Sequence, residues 1–252
     1  MFEGFTEEAL RFLAELRANN NESFYRENLD RYRRVLQRPL RLLCEEAAPV
    51  VSLIDPGLDT RPASAMSRLR RDTRFSNDKS PFRDHVWIGW RYPGERRSEG
   101  FHMYWGFGID WYSWGCGSYG TDKPLMDMLR SEILRNPDRV RNALTPLEVG
   151  KQYQLYGEPY LRLPIPDDVP TDLAGLWRMR YFGMESITLP ETRNELFSHA
   201  AAERLITELR HMTPLIQLMR DLRRASAPQL ELDQKDKLLG VHRARPAEEF
   251  EF

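Results

Sequence analysis

Along the first fifty or so residues apolar side chains recur at helical spacing, and from about residue 65 to 117 they alternate instead. Thr6 reads as a helix cap ahead of Glu7 and Glu8, acids that suit the positive end of a helix. Ala9, Leu10, Leu13 and Leu16 form the apolar stripe, and Asn19–Asn21 break it and can cap the next helix. That helix carries Phe24, Tyr25, Leu29, Tyr32, Val35 and Leu36 under a charged outer face, is interrupted at Pro39, and resumes to about Ile54. The alternating region predicts four antiparallel strands, at about 65–74, 84–92, 100–107 and 110–117, joined by turns at YPGERRSEG and GID. Helices return at 122–135 and after Asn136, and Thr145-Pro146-Leu147-Glu148 reads as a capping box that starts another. LRLPI at 161–165 suggests one short strand, and a helical region at about 192–224 carries the core stripe Leu205, Leu209, Met212, Ile216 and Met219, with Thr213-Pro214 predicted to kink or split it. Helices, a meander and more helices define an α+β class, an antiparallel sheet packed against N-terminal and C-terminal helices. We read residues 1–225 as one domain and 226–252 as a polar C-terminal tail.

Composition changes this picture little. The 252 residues are 41% hydrophobic and 30% charged, and 37 basic side chains face 38 acidic ones for a net charge of −1. A chain so balanced needs a concentrated basic patch to hold nucleic acid, so nucleic-acid binding is disfavoured. No apolar run is long enough to span a bilayer, and MFEGFTEEALRF lacks the basic start and apolar segment of a signal peptide. The expectation is a soluble, cytoplasmic protein with no membrane partner, whose two cysteines, Cys44 and Cys116, are free thiols in a reducing compartment.

The candidate chemistry lies in RLRRDTRFSNDKSPFRDH, residues 68–85, with five arginines, one lysine, three aspartates and a histidine. If 66–74 is a strand, Met66, Arg68, Arg70, Asp72 and Arg74 share one face, and three like charges in a row need a counterion. In one reading that counterion is a small anionic ligand, bearing phosphate or carboxylate. Arg68, Arg70 and Arg74 grip it bidentately, Lys79 adds charge, His85 moves protons, and Asp72 orients it or balances the arginines. In the other, Asp72, Asp78 and Asp84 pair with the cations and the cluster is scaffold in a noncatalytic protein-interaction domain. Residue types alone leave both open, and they name no reaction or cofactor.

The hairpin FHMYWGFGIDWYSWGCGSYG supplies a second candidate surface. One aromatic face must be core, and the other either lies under helices or walls a groove in which Tyr104, Tyr112 and Trp114 stack on a flat ligand. The hairpin glycines have no phosphate-loop spacing, and a bend or close backbone approach explains them better. A metal held by His85, His102 and Asp72 or Asp110 is a third possibility, opposed by the neighbouring arginines and by the lack of any ligand-spacing motif.

These residues also carry a resemblance. Arg71, Asp72, Arg74, Phe75, Ser76, Asp78, Lys79, Ser80, Pro81, Phe82 and His85 match the pattern R-D-x-R-F-S-x-D-K-[ST]-P-[YF] followed by histidine, which resembles the central motif of domain of unknown function 2461. Gly4-Phe5, Asn19-Asn20 before Phe24-Tyr25, Asn28, Tyr32, Pro39, Gly100-Phe101, Gly115 to Gly117 and Tyr156-Gly157 through LRLP are similar to its other parts, so the resemblance spans about residues 2–223. It implies a single α+β domain and brings no activity, substrate or cofactor. Phe24-Tyr25 in place of a Trp-Phe pair, the aromatic hairpin and the tail depart from the family pattern.

Overall fold

In the computed structural model the described residues are 1–74, 77–95 and 100–238, with side chains described as far as 226. Phe75 and Ser76 of the motif, the middle of the turn expected at 92–100, and the last part of the predicted tail lie outside them.

The chain opens with α1 (Glu7–Ala18), α2 (Glu22–Glu27) and α3 (Leu29–Tyr32), and a π-turn at Arg33–Gln37 runs straight into α4 (Arg38–Ile54). Asn21 caps α2 as expected, its side chain accepting from the Phe24 amide at 3.0 Å. Pro39 does not interrupt the helix. The proline ring cannot donate to the carbonyl four residues back, and the widened turn just ahead of it takes up the misfit. After α5 (Pro62–Ala65) come β1 (His85–Trp90), β2 (His102–Gly108) and β3 (Tyr112–Gly117), then α6 (Lys123–Arg135) and α7 (Pro137–Leu144). The chain then makes β4 (Tyr153–Pro159), α8 (Ala174–Trp177), β5 (Met179–Ser186) and α9 (Ala200–Leu238).

The five strands form one antiparallel sheet in the order β1-β2-β3-β5-β4. One face is the core. Val86, Ile88, Trp90, Met103, Trp105 and Phe107 all point into it, and Tyr112, Trp114 and Cys116 join them through the β2–β3 register. Phe5 seals this face against Phe107 and Trp105, with ring centroids 4.6 and 6.1 Å away. Helix α9 crosses over β2 and β3 and packs on α4 and α6, and the stripe Leu205, Leu209, Met212, Ile216 and Met219 is buried. The α+β architecture is therefore the expected one.

Several elements differ from the sequence reading. Segment 65–74 is not a strand: beyond two isolated bridges, Met66 to Ile88 and Arg70 to Phe82, it is an extended ribbon flanking β1. Pro81 has no amide to donate, and Asp72 closes the chain into a loop by accepting from the Arg74 amide. Thr145–Leu147 is a 3-10 turn that ends a helix instead of starting one. Thr145 Oγ1 donates back to the Arg141 carbonyl, and Glu148 sits at φ +42°. The short strand falls at 153–159 rather than 161–165, and β5 has no counterpart in the sequence reading. Pro214 neither splits nor ends α9, which runs to Leu238 and so extends into the segment read as tail. Cys44 and Cys116 are buried free thiols, and burial pushes both thiols up, Cys44 to about 12. Among the described residues no helix is long and apolar enough to cross a membrane.

Candidate functional site

The ribbon places the motif first. The Arg71 amide donates to Pro81 O and the Arg83 amide to Leu69 O, both at 2.8 Å, while the Ser67 amide donates to Trp87 O at 2.8 Å. These bonds hold residues 66–71 against 81–88, and Leu69 and Phe82 anchor the pair in the core at 2% and 1% exposure. The polar ends of the motif point outward and pair within the chain. Arg74 clasps Asp72 at 2.6 Å, and hydrogen bonding from that guanidinium and from the Arg74 amide draws the Asp72 carboxyl down to about 2. Asp78 is likewise drawn down to about 2, first by the Ser80 amide and then by the Ser80 hydroxyl and Arg71, with which it is paired. Arg70 reaches Glu22 at 2.6 Å and lies over the Phe82 ring, and Lys79 Nζ donates to Thr73 O at 3.0 Å.

The predicted cluster therefore divides. Arg68 and Arg70 line a cleft against the N-terminal helices, Asp72, Arg74 and Lys79 stay with the loop, and His85 enters the sheet. Asp72 does not orient His85. That partner is Asp84, whose Oδ1 lies 3.0 Å from His85 Nδ1. Asp84 in turn faces Arg17 at 3.7 Å.

His85 stands on the sheet face opposite the core, and there a groove of about 410 Å³ opens. Alternation sends Trp87, Gly89 and Arg91 to this side with His85, while the β2 and β3 registers add Tyr104 and Ser113, and β5 adds Glu185. Trp87 and Trp111 flank His85 with centroids 5.5 and 5.7 Å from its ring. Tyr112 and Trp114 are not in this groove. The register pairs them with Phe107 and Trp105 across the strands, so they lie on the core face at 3% and 5% exposure, and the residues that join Tyr104 are Trp111 and Ser113. The floor is glycine. A Cβ on Gly106 would lie 2.8 Å from both Trp87 Cβ and the Val86 carbonyl, and one on Gly115 would lie 2.8 Å from the Tyr104 hydroxyl. Close approach of rings to bare backbone is thus what these glycines provide.

Ser113 Oγ donates to Glu185 at 3.2 Å at mid-groove. Burial pushes the Tyr104 and Tyr119 phenols up, so both remain protonated hydrogen-bond donors near neutral pH. Arg91 also lines the groove, and no carboxylate lies within ion-pair distance of it among the described residues. His102 pairs with Glu95 at 3.8 Å. It cannot share a metal with His85: the partner of His85 is Gly108, six residues along β2 from His102, a separation of roughly 20 Å. Of these groove residues, Trp87 and Arg91 were readable from strict alternation around His85. Glu185 was not, because it depends on a strand pairing that nothing local announces.

An antiparallel α+β sheet with one face buried and the other open as an aromatic groove is the class that fold and site define. The chain belongs to the family described as a conserved hypothetical protein (DUF2461), whose model matches residues 8–218 and so takes in both the motif ribbon and the groove strands. No curated protein matches the chain.

Proposed function

We propose that the open-face groove binds a small molecule carrying a flat ring and an acidic group, and that His85 is its proton-transfer residue. The observation behind this reading is the pairing, in one groove, of a carboxylate-oriented imidazole with a guanidinium lacking an ion-pair partner among the described residues. At about 410 Å³ the groove is within the usual range for small ligands, and its walls are mostly aromatic. Trp87 and Trp111, which flank His85, offer an aromatic wall against which a ligand ring packs, Arg91 takes the anionic end, and Tyr104, Tyr119 and the Ser113–Glu185 pair supply directional hydrogen bonds. Asp84 fixes the tautomer by accepting from Nδ1, which leaves Nε2 as the base.

A noncatalytic role remains the second reading for the loop itself, because Arg70, Arg71, Arg74 and Lys79 all pair within the chain. One screen separates the two. Thermal melting is followed with aromatic carboxylates, aryl phosphates and nucleotides on wild type, Arg91→Ala and His85→Ala. A ligand at a hundred times its dissociation constant adds about 2.7 kcal/mol. We expect one anion class to stabilise wild type, to bind Arg91→Ala about tenfold or more weakly, and still to bind His85→Ala. Equal stabilisation of wild type and Arg91→Ala, or none by any compound, would remove the groove from consideration.

A further inference from the structure

A second concavity, larger than the groove and sharing no lining residue with it, lies between the N-terminal helices and the motif ribbon. It measures about 1240 Å³ and is lined by seven arginines against two acids, Asp30 and Glu45. That concentration is local, since the whole chain carries a net charge of −1. The arginines stand on two sides. Arg34, Arg38 and Arg41 project from the helix that runs through the π-turn, and Arg61, Arg68 and Arg70 come from α5's approach and the ribbon. Four of the seven have carboxylate partners: Arg33 with Asp30 at 3.0 Å, Arg41 with Glu45 at 2.8 Å, and Arg61 and Arg70 with Asp59 and Glu22 at 2.6 Å. Arg34, Arg38 and Arg68 have none among the described residues, and they come from both walls.

Like charges gathered around one cleft raise each other's energy unless an anion lies between them. A single carboxylate would neutralise one wall only. A phosphate presents up to two charges and three acceptor oxygens, and matches a guanidinium fork bidentately. Two or more linked phosphates satisfy both walls at once. Tyr25, Tyr32, Leu42 and Met66 give the cleft a partly apolar lining, which suits a bounded small molecule better than a long polyanion. We propose that this cleft is a binding site for a small polyphosphorylated ligand, with Arg34 and Arg38 on one wall and Arg68 on the other as its principal contacts.

The test uses sodium tripolyphosphate as probe, titrated calorimetrically into the full chain, with inorganic phosphate, citrate and a short single-stranded oligonucleotide in parallel. Tripolyphosphate is expected to bind at least tenfold more tightly than either phosphate or citrate. Removing charge with Arg34→Gln, Arg38→Gln and Arg68→Gln should weaken it about tenfold per arginine. These side chains are exposed and lose only mutual repulsion, so the melting temperature without ligand should stay the same or rise slightly. If the triple variant nevertheless melts early, Arg34→Gln and Arg68→Gln taken singly decide the matter from opposite walls. Arg91→Ala, in the sheet groove, should bind tripolyphosphate as wild type does, whatever becomes of the groove reading. The proposal fails if tripolyphosphate does not bind, if the arginine variants bind it equally well, or if Arg91→Ala abolishes binding. Tighter binding of citrate would reassign the site to polycarboxylates, and tighter binding of the oligonucleotide to nucleic acid; either overturns it.

Discussion

Gly106 lies under Trp87, and the ring rests where a side chain would otherwise stand. An added methyl would meet the Val86 carbonyl, which is tied into the strand ladder and cannot yield. Gly106→Ala should therefore destabilise the protein by about 1–3 kcal/mol, the range for overpacking a tight site, and chemical denaturation measures it. A loss near zero would mean that Trp87 swings away freely, and the groove wall would then be less defined than its geometry suggests. At this scale much was legible in advance. Alternation assigned His85, Trp87, Gly89 and Arg91 to one side, and the hairpin glycines did mark close backbone approach. The charges of the motif were also evident, but not their partners. Glu22 and Asp84, which take Arg70 and His85, are chosen by tertiary placement and by backbone direction.

Among the elements, register decided what periodicity could not. Tyr104, Tyr112 and Trp114 look alike as an aromatic set in sequence, and each strand alternates correctly on its own. Only the pairing of Trp105 with Trp114 and of Phe107 with Tyr112 shows that two of the three belong to the core. Trp114→Ala should therefore cost about 3–5 kcal/mol, whereas Tyr104→Phe should leave the melting temperature nearly unchanged while altering ligand affinity. If Trp114→Ala melted like wild type and lost only binding, the β2–β3 register described above would be wrong. Strand β5 escaped the sequence reading because MRYFGMES has no clean alternation: buried Phe182, Gly183 and Met184 follow one another at the sheet interior. The ribbon at 66–71 shows the converse error, a strand-like pattern without the ladder that would make it a strand.

For the molecule as a whole, a few polar contacts tie together segments far apart in sequence. Glu46 on α4 accepts from the Phe2 amide at 2.9 Å and meets His199 Nε2, just ahead of α9, at 2.6 Å. Burial pushes the Glu46 carboxyl up, but the Phe2 amide and His199 outweigh it and leave the group below its ordinary 4.5. Hydrogen bonding to Glu46 raises His199 above its ordinary 6.5. The stabilisation from Glu46 is thus present above about 4.5 and lost as pH falls through its folded value. That from His199 is present below about 6.5 and lost as pH rises through its folded value. The melting-temperature difference between wild type and His199→Gln should be widest between those limits and shrink as the pH rises past the folded value of His199. A difference constant across that range would mean that the contact contributes no proton-linked stability. The helix–meander–helix order was enough for the fold class, but such long-range ties, like the place of β5 between β3 and β4, have no local signature to read.

The two-sided sheet also sorts the tryptophans into optical populations. Trp90, Trp105, Trp114 and Trp177 are buried, whereas Trp111 is 41% exposed and Trp87 is half-buried beside it in the groove. The red-edge, quencher-accessible part of the intrinsic emission therefore comes from the two indoles that flank His85. The protein carries its own spectroscopic gauge of that groove, one that reports occupancy without a label.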